Sequence, residues 1–222
     1  MLPEQFSIWQ ETLNWQPTPQ QQGLFQQLYQ GIVQGNKQFN LTRITQPEDF
    51  WEKHLWDSLT GISSWLNADQ SPVRIVDIGT GAGFPGLPVA IVKPESEMTL
   101  LDSTRKKITF LDELITKLNL SNVKTIVGRA EAVNLVPSYE KYFDLALLRA
   151  VAAPKICAKY ALPFLKTGGT AILYRGNWTV EEEQELTEAV KKWGGTIESI
   201  HPFTTPLTQS VRHCVVLKKI KD

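Results

Sequence analysis

The stretch Val76-Asp77-Ile78-Gly79-Thr80-Gly81-Ala82-Gly83-Phe84-Pro85-Gly86-Leu87-Pro88 constrains this chain more than any other. An apolar run meets an acidic residue, turns through glycines two apart, and enters a helical pattern. Glycine permits φ > 0 and lets another molecule approach the backbone closely. A glycine turn between strand and helix, at the mouth of a parallel sheet, is where nucleotide-like ligands sit. The loop therefore predicts an open α/β sheet that holds an adenosine-containing molecule.

The rest of the chain agrees with that sheet. After residue 72, strand and helix patterns alternate. Strands are expected at Arg74 to Ile78, Glu97 to Asp102, Val123 to Val127, Phe143 to Leu148, Thr170 to Tyr174, Thr196 to Ile200 and Val211 to Leu217. Helices are expected from Gly86 to Val92, Thr104 to Leu118, Lys155 to Leu165 (closed by Gly168-Gly169) and Glu181 to Trp193. Repeated β-α-β predicts a mostly parallel, seven-stranded sheet covered on both faces. Residues 1–72 read differently, as a helical arm rich in Gln and Trp. Phe6, Ile8, Trp9 and Leu13 suggest a first helix, and Leu24, Phe25, Leu28, Ile32 and Val33 a second, with Gly35-Asn36 as its stop. Pro47 starts another helix, on which Phe50, Trp51, His54, Leu55 and Leu59 share a face, with an end between Asn67 and Pro72. At 222 residues the chain fits one large domain, 73–222, with a helical extension, 1–72. Five of the seven tryptophans lie in the arm and are expected to pack it onto the main domain rather than stack on bases.

Composition removes several function classes. No stretch reaches the roughly 18 to 20 apolar residues that span a bilayer. The N-terminus lacks a basic segment followed by an apolar core, so no secretory signal is read there and a cytoplasmic location is expected. Cys157 and Cys214 make no disulfide framework, and neither they nor His54, His201 and His213 have metal-ligand spacing. Net charge is zero but uneven: residues 1–72 carry three basic against seven acidic side chains, and 73–222 carry 20 against 16. A neutral total argues against nonspecific coating of nucleic acid and leaves room for local contact.

The spelling of the glycine loop also satisfies G-x-G-x-x-G at Gly81, Gly83 and Gly86, with Asp102 16 residues further on. A nicotinamide enzyme is therefore a real rival. Two features favour S-adenosylmethionine. Asp77 ends the strand where a carboxylate suits a cationic amino group or sulfonium and repels a pyrophosphate. No Tyr-x-x-x-Lys pair follows; Tyr139, Glu140, Lys141 and Tyr142 have the wrong spacing. Asp102, at the end of the second strand, can accept from both hydroxyls of a ribose. The loop Gly128-Arg129-Ala130-Glu131 can close over an adenine. At the end of the fourth strand, Arg149 stands where amine-methylating enzymes carry Asn-Pro-Pro-Tyr or Asp-Pro-Pro-Tyr, and no cysteine occupies the nucleophile position of cytosine-C5 enzymes. A noncatalytic RNA-binding module is the third reading.

With these residues assembled, the chain resembles the bacterial 16S rRNA guanine-N7 methyltransferase family, once called glucose-inhibited division protein B. The matching segments are Phe39-Asn40-Leu41-Thr42, His54-Leu55 with Asp57-Ser58-Leu59, Asp77 to Pro88, Leu100-Leu101-Asp102-Ser103, Glu131, Arg149-Ala150, Gly176 and Arg212-His213. They run from the arm to the last strand. Arg175 departs from the pattern, in which lysine commonly precedes the glycine; the charge is kept but not the geometry.

The resemblance implies a class I methyltransferase domain with a helical N-terminal extension. It implies S-adenosylmethionine near Asp77, Gly79, Gly81, Gly83, Phe84, Asp102, Ser103, Thr104, Ala130, Glu131 and Arg149. The implied acceptor is guanine N7 in a loop of 16S ribosomal RNA, met as naked RNA or as a small-subunit particle. N7 has a free lone pair and no proton to lose, so no general base is needed. Arg149, Arg175 and His54 are candidates for positioning groups. Arg105, Lys106, Lys107, Arg129, Arg175 and Arg212 are candidates for phosphate contact. A monomer that contacts neither DNA nor membrane is expected.

Overall fold

The apolar run from Ile75 to Ile78 is buried on both faces, which places it between two other strands. In the computed structural model, which describes residues 1–67 and 72–221, it is β1 (Arg74–Ile78) of a seven-stranded sheet. The others are β2 (Glu97–Asp102), β3 (Val123–Val127), β4 (Phe143–Arg149), β5 (Leu165–Arg175), β6 (Gly195–Thr204) and β7 (Val211–Lys219). Their order is β3-β2-β1-β4-β5-β7-β6. β1 to β5 pair in parallel, and β7 runs antiparallel to both β5 and β6. The chain steps outward from β1 to β3, then returns to lay β4 on the other side of β1. Ligands of open α/β sheets bind at the carboxyl ends of strands at such a reversal.

Side-chain alternation along the strands feeds two apolar cores. Leu145 and Leu147 of β4 join Ile75 in one core with α6 (Gly86–Val92), α7 (Arg105–Leu118) and the N-terminal helices. Ala146 and Leu148 join Val76 and Ile78 in the other, against α8 (Ala130–Val133), α9 (Pro154–Ala161) and α10 (Val180–Lys192). The helix expected from Lys155 to Leu165 is shorter than its pattern. After a 3₁₀ turn at Leu162–Phe164, β5 begins at Leu165 and runs through Gly168-Gly169, the expected closure. Pro163 has no N–H with which to extend the helix, and its carbonyl accepts from Lys141 N at 2.9 Å.

The arm comprises α1 (Phe6–Leu13), α2 (Pro19–Phe39), α3 (Pro47–Phe50), a π-helical turn (Trp51–Trp56), α4 (Asp57–Thr60) and α5 (Ser63–Leu66). α2 opens with a capping box between Thr18 and Gln21 and with Pro19 in the first turn. It does not stop at Gly35-Asn36. A Cβ on Gly35 would overlap the Phe110 ring of α7, so that glycine is a contact between helices rather than a terminator. The stop is Asn40, left-handed at φ 49°. Trp9, Trp51 and Trp56 are buried in the core the arm shares with the sheet. The expected end of the arm, between Asn67 and Pro72, falls largely on residues 68–71, outside the described residues. Among the described residues, no helix is long and apolar enough to cross a membrane.

Candidate active site and cofactor cleft

The loop after β1 folds around two carboxylates. Asp77 is fully buried; its Oδ2 accepts from Thr80 Oγ1 at 2.6 Å and from Gly86 N at 2.8 Å, which closes the turn from within. Its Oδ1 is buried and has no partner among the described residues. Burial raises its pKa from 3.8 to about 6, against the lowering pull of Thr80, Gly86 and Arg149. The sequence reading set Asp77 against a cationic ligand. The structure instead puts it beneath the loop, as the loop's internal brace.

Asp102 does face an open space. With Ser103 it lines a cleft of about 190 Å³ at the carboxyl ends of β1, β2 and β3. Gly79, Gly128, Ala130, Glu131, Val151 and Tyr160 also line it. Asp102 Oδ2 accepts from Gly81 N at 3.0 Å, and Oδ1 accepts from Thr104 N at 2.8 Å. A carboxylate offers about four lone-pair sites, so about two remain for other donors. Gly81 sits at φ 61°, and a Cβ there would meet nothing nearer than a carbonyl at 3.9 Å, so the space above the loop is open. An acceptor pair at the end of β2, an open glycine turn and the Ala130-Glu131 backbone form a donor set that fits an adenosine.

Other expected cofactor residues lie elsewhere. Gly83 is packed inward, and Phe84 is buried, stacked on His54 with centroids 4.2 Å apart and planes 6° from parallel. Phe50 closes edge-on against Phe84 at 5.5 Å. Arg149 leaves the end of β4 and is taken up by the arm. Its guanidinium donates to Asp57 Oδ2 at 3.0 Å, to the Lys53 carbonyl at 2.7 Å and to His54 Nδ1 at 3.1 Å. It also lies 5.6 Å from the Phe84 ring centroid, within cation–π range.

This network fixes the state of His54. Arginine can only donate, so Nδ1 must be the lone-pair nitrogen. Burial, and then the Arg149 charge, hold the imidazole pKa down to about 3, so the ring is neutral at physiological pH. Nε2 therefore carries the proton and donates to Thr42 Oγ1 at 3.1 Å. Thr42 Oγ1 also accepts from Ile44 N at 3.1 Å, while Thr42 N donates to Asn36 Oδ1 at 2.9 Å. The Asn40-Leu41-Thr42 arm, His54, Asp57, Phe84 and Arg149, scattered in sequence, meet at one point.

Sequence reasoning missed several residues. Glu52 is fully buried in the π-helical turn and accepts from Leu207 N at 2.5 Å, Thr208 N at 2.9 Å and Thr208 Oγ1 at 2.6 Å. It ties the β6–β7 hairpin to the arm, and nothing in its local pattern distinguishes it from a solvated helix glutamate. Tyr174 of β5 donates to the Ser58 carbonyl at 2.8 Å, and burial raises its pKa well above 10. Among the expected phosphate contacts, Arg105 and Lys106 are exposed in the first turn of α7, and Lys107 lies 3.8 Å from Asp102. Arg129 has 77% of its side chain exposed, 4.0 Å from Glu131. Arg212 is half-buried. Arg175 is withdrawn from solvent: it donates to the Ala152 carbonyl at 2.9 Å and to Glu182 at 2.7 Å, a bracing role rather than a phosphate contact.

The sheet order and the cleft at its reversal are those of class I S-adenosylmethionine-dependent methyltransferases. M. jannaschii TYW2 in complex with AdoMet superposes with a TM-score of 0.56 at 17% identity, over 74% of this chain and 77% of that one. P. horikoshii TYW2 in complex with MeSAdo gives 0.59 at 15% identity, over 76% and 63%. The model of the family described as rRNA small subunit methyltransferase G matches residues 21–213. Relatives named Ribosomal RNA small subunit methyltransferase G include one from Nostoc punctiforme, 60% identical over 99% of this chain and 91% of that one. Another, from Microcystis aeruginosa, is 55% identical over 99% of both. The chain belongs to the rRNA small subunit methyltransferase G family, and its methyl donor is S-adenosylmethionine. The nicotinamide and noncatalytic alternatives fall with that membership.

Proposed function

We propose that this chain methylates N7 of a guanine in a loop of 16S ribosomal RNA, as naked RNA or within a small-subunit particle. The observation that carries this reading is the state of the groups at the end of β4. Arg149 is committed to Asp57, the Lys53 carbonyl and His54, and both nitrogens of His54 are committed in turn. A neutral imidazole with its lone pair turned to Arg149 does not take a proton. Guanine N7 has no proton to give, so this site suits it better than an exocyclic amine. When bound, S-adenosylmethionine supplies an electrophilic methyl group on a sulfonium.

The chain's own part is positioning and exclusion of water, which supplies on the order of 7–11 kcal/mol for well-oriented reactants. Asp102, with Gly81, Ser103 and Thr104 around it, holds the ribose, and Ala130 and Glu131 border the adenine. Arg149, braced by His54, forms the wall on which the acceptor base rests. N7 is on the edge of guanine that A-form RNA hides in a deep, narrow groove, so the target base is unstacked when bound.

Arg105, Lys106 and Lys107 crowd the first turn of α7, where the helix dipole disfavours cations. Their placement beside Asp102 supports a contact with RNA phosphates at the rim of the cleft, shared with Arg129 and Arg212. We read residues 1–72 as an extension that braces a 73–222 catalytic domain, and the enzyme as a cytoplasmic monomer that acts on neither DNA nor membranes.

The test is incubation with labelled S-adenosylmethionine and 16S ribosomal RNA lacking the modification, followed by mass-spectrometric mapping. A single 7-methylguanosine in a loop is expected. Methyl transfer to another atom, or none despite cofactor binding, overturns the reading.

A further inference from the structure

A second, larger groove lies on the face of the sheet opposite the arm. It measures about 730 Å³ and runs between the α8 loop, α9, the end of α10 and the end of β7. Six lysines line it: Lys141, Lys159, Lys191, Lys192, Lys219 and Lys221, against two glutamates, Glu131 and Glu140. They come from four separate parts of the fold. Helix dipoles explain Lys159, Lys191 and Lys192 singly, since each is in a last turn. They do not explain why the turns converge on one groove with the ends of β7 and the β4 approach. Lys159, Lys191 and Lys192 are exposed, and among the described residues no ion pair holds them.

Two further features give the groove direction. Glu131 lines both this groove and the cofactor cleft, so the lysine channel opens directly beside the donor site. Leu135, 73% exposed, and the half-buried Trp193 give it apolar surface between the charges. Clustered lysines with interleaved apolar and aromatic surface match a sugar–phosphate backbone, which has alternating charge and carbon-rich faces.

We propose that this groove is a docking track for the ribosomal RNA backbone flanking the target loop, separate from the contacts at the rim of the cleft. The assignment rests on the ribosomal RNA reading above. Such contacts set register and orientation without reading sequence. The three free lysines supply part of the affinity through release of counterions, with a salt dependence of about 0.7 per phosphate neutralised.

The test is the triple variant Lys159→Gln, Lys191→Gln, Lys192→Gln in the full chain, with a fluorescent 16S ribosomal RNA fragment titrated from low to moderate salt. The dissociation constant should rise about tenfold or more, and the slope of log K against log salt should fall by about two. S-adenosylhomocysteine binding by calorimetry should not change, and Lys→Arg at the same three positions should restore RNA affinity. In the wild-type chain, bound RNA should shield the same three lysines from acetylation, a readout independent of any variant. Unchanged affinity and slope, or equal acetylation with and without RNA, overturns the proposal. Shielded lysines in an enzyme that makes no 7-methylguanosine leave the track standing and overturn the N7 reading. Product at the expected atom with unshielded lysines does the reverse.

Discussion

At the scale of single residues, Asp102 carries two loads. It fixes the glycine turn through Gly81 N and caps the entry to α7 through Thr104 N. Its remaining lone pairs face the cleft. Hydrogen bonds to a charged acceptor contribute about 1.5–3 kcal/mol each. Asp102→Ala should therefore weaken S-adenosylhomocysteine binding by more than tenfold in calorimetry; an unchanged dissociation constant would remove its ribose role. Asp102 was legible in the sequence because an acidic residue at the end of a second strand has a fixed place in this topology. Arg149 was legible only as a position. Its partners Asp57 and His54 lie 92 and 95 residues earlier, and no local pattern reports a contact that long-ranged. Asp77 was seen as chemistry and misplaced as geometry. A carboxylate before a glycine turn serves equally as a ligand contact or as a brace, and only burial separates the two.

At the scale of elements, alternating strand and helix patterns gave the parallel sheet because both periods persist over whole segments. Boundaries were lost where one residue type has two uses. Gly35 read as a helix stop and is a close approach to Phe110. The π-helical turn was invisible, since its apolar residues also satisfy α-helical spacing over one turn. Its carboxylate, Glu52, accepts two backbone N–H groups and a hydroxyl from the β6–β7 hairpin. Glu52→Ala should lower stability by about 2 kcal/mol in urea titration, the cost of stranding such donors. Glu52→Gln keeps one acceptor oxygen and should lose less than half as much. Equal losses would mean that the side chain acts by filling space.

At the scale of the whole molecule, two buried groups give stability opposite pH dependences. His54 titrates near 3 when folded against an ordinary 6.5, so between those values the unfolded chain binds the extra proton. Its contribution is complete above 6.5 and is lost as pH falls toward 3. Asp77 titrates near 6 against an ordinary 3.8, so the folded state holds the extra proton; stability from this group is greatest below 3.8 and is lost as pH rises through about 6. His54→Asn, which keeps an acceptor for Arg149, should narrow the gap in urea midpoint between pH 7.5 and pH 4.5 (both values about one unit outside the opposed window). Asp77→Asn should widen it. Identical gaps in all three proteins would place the acid sensitivity elsewhere.

The π-helical turn gives the arm a property best described as a fixed count. A helix advances about 100° per residue, so the number of residues between Trp51 and Asp57 sets the compass bearing of everything after it. Letters within the turn can be exchanged while the bearing holds. Removing one position would swing Asp57 and Ser58 away from Arg149 and Tyr174 by more than a quarter of a circle. In this enzyme, spacing in that turn is itself a component of the site, inherited as a length rather than as a side chain.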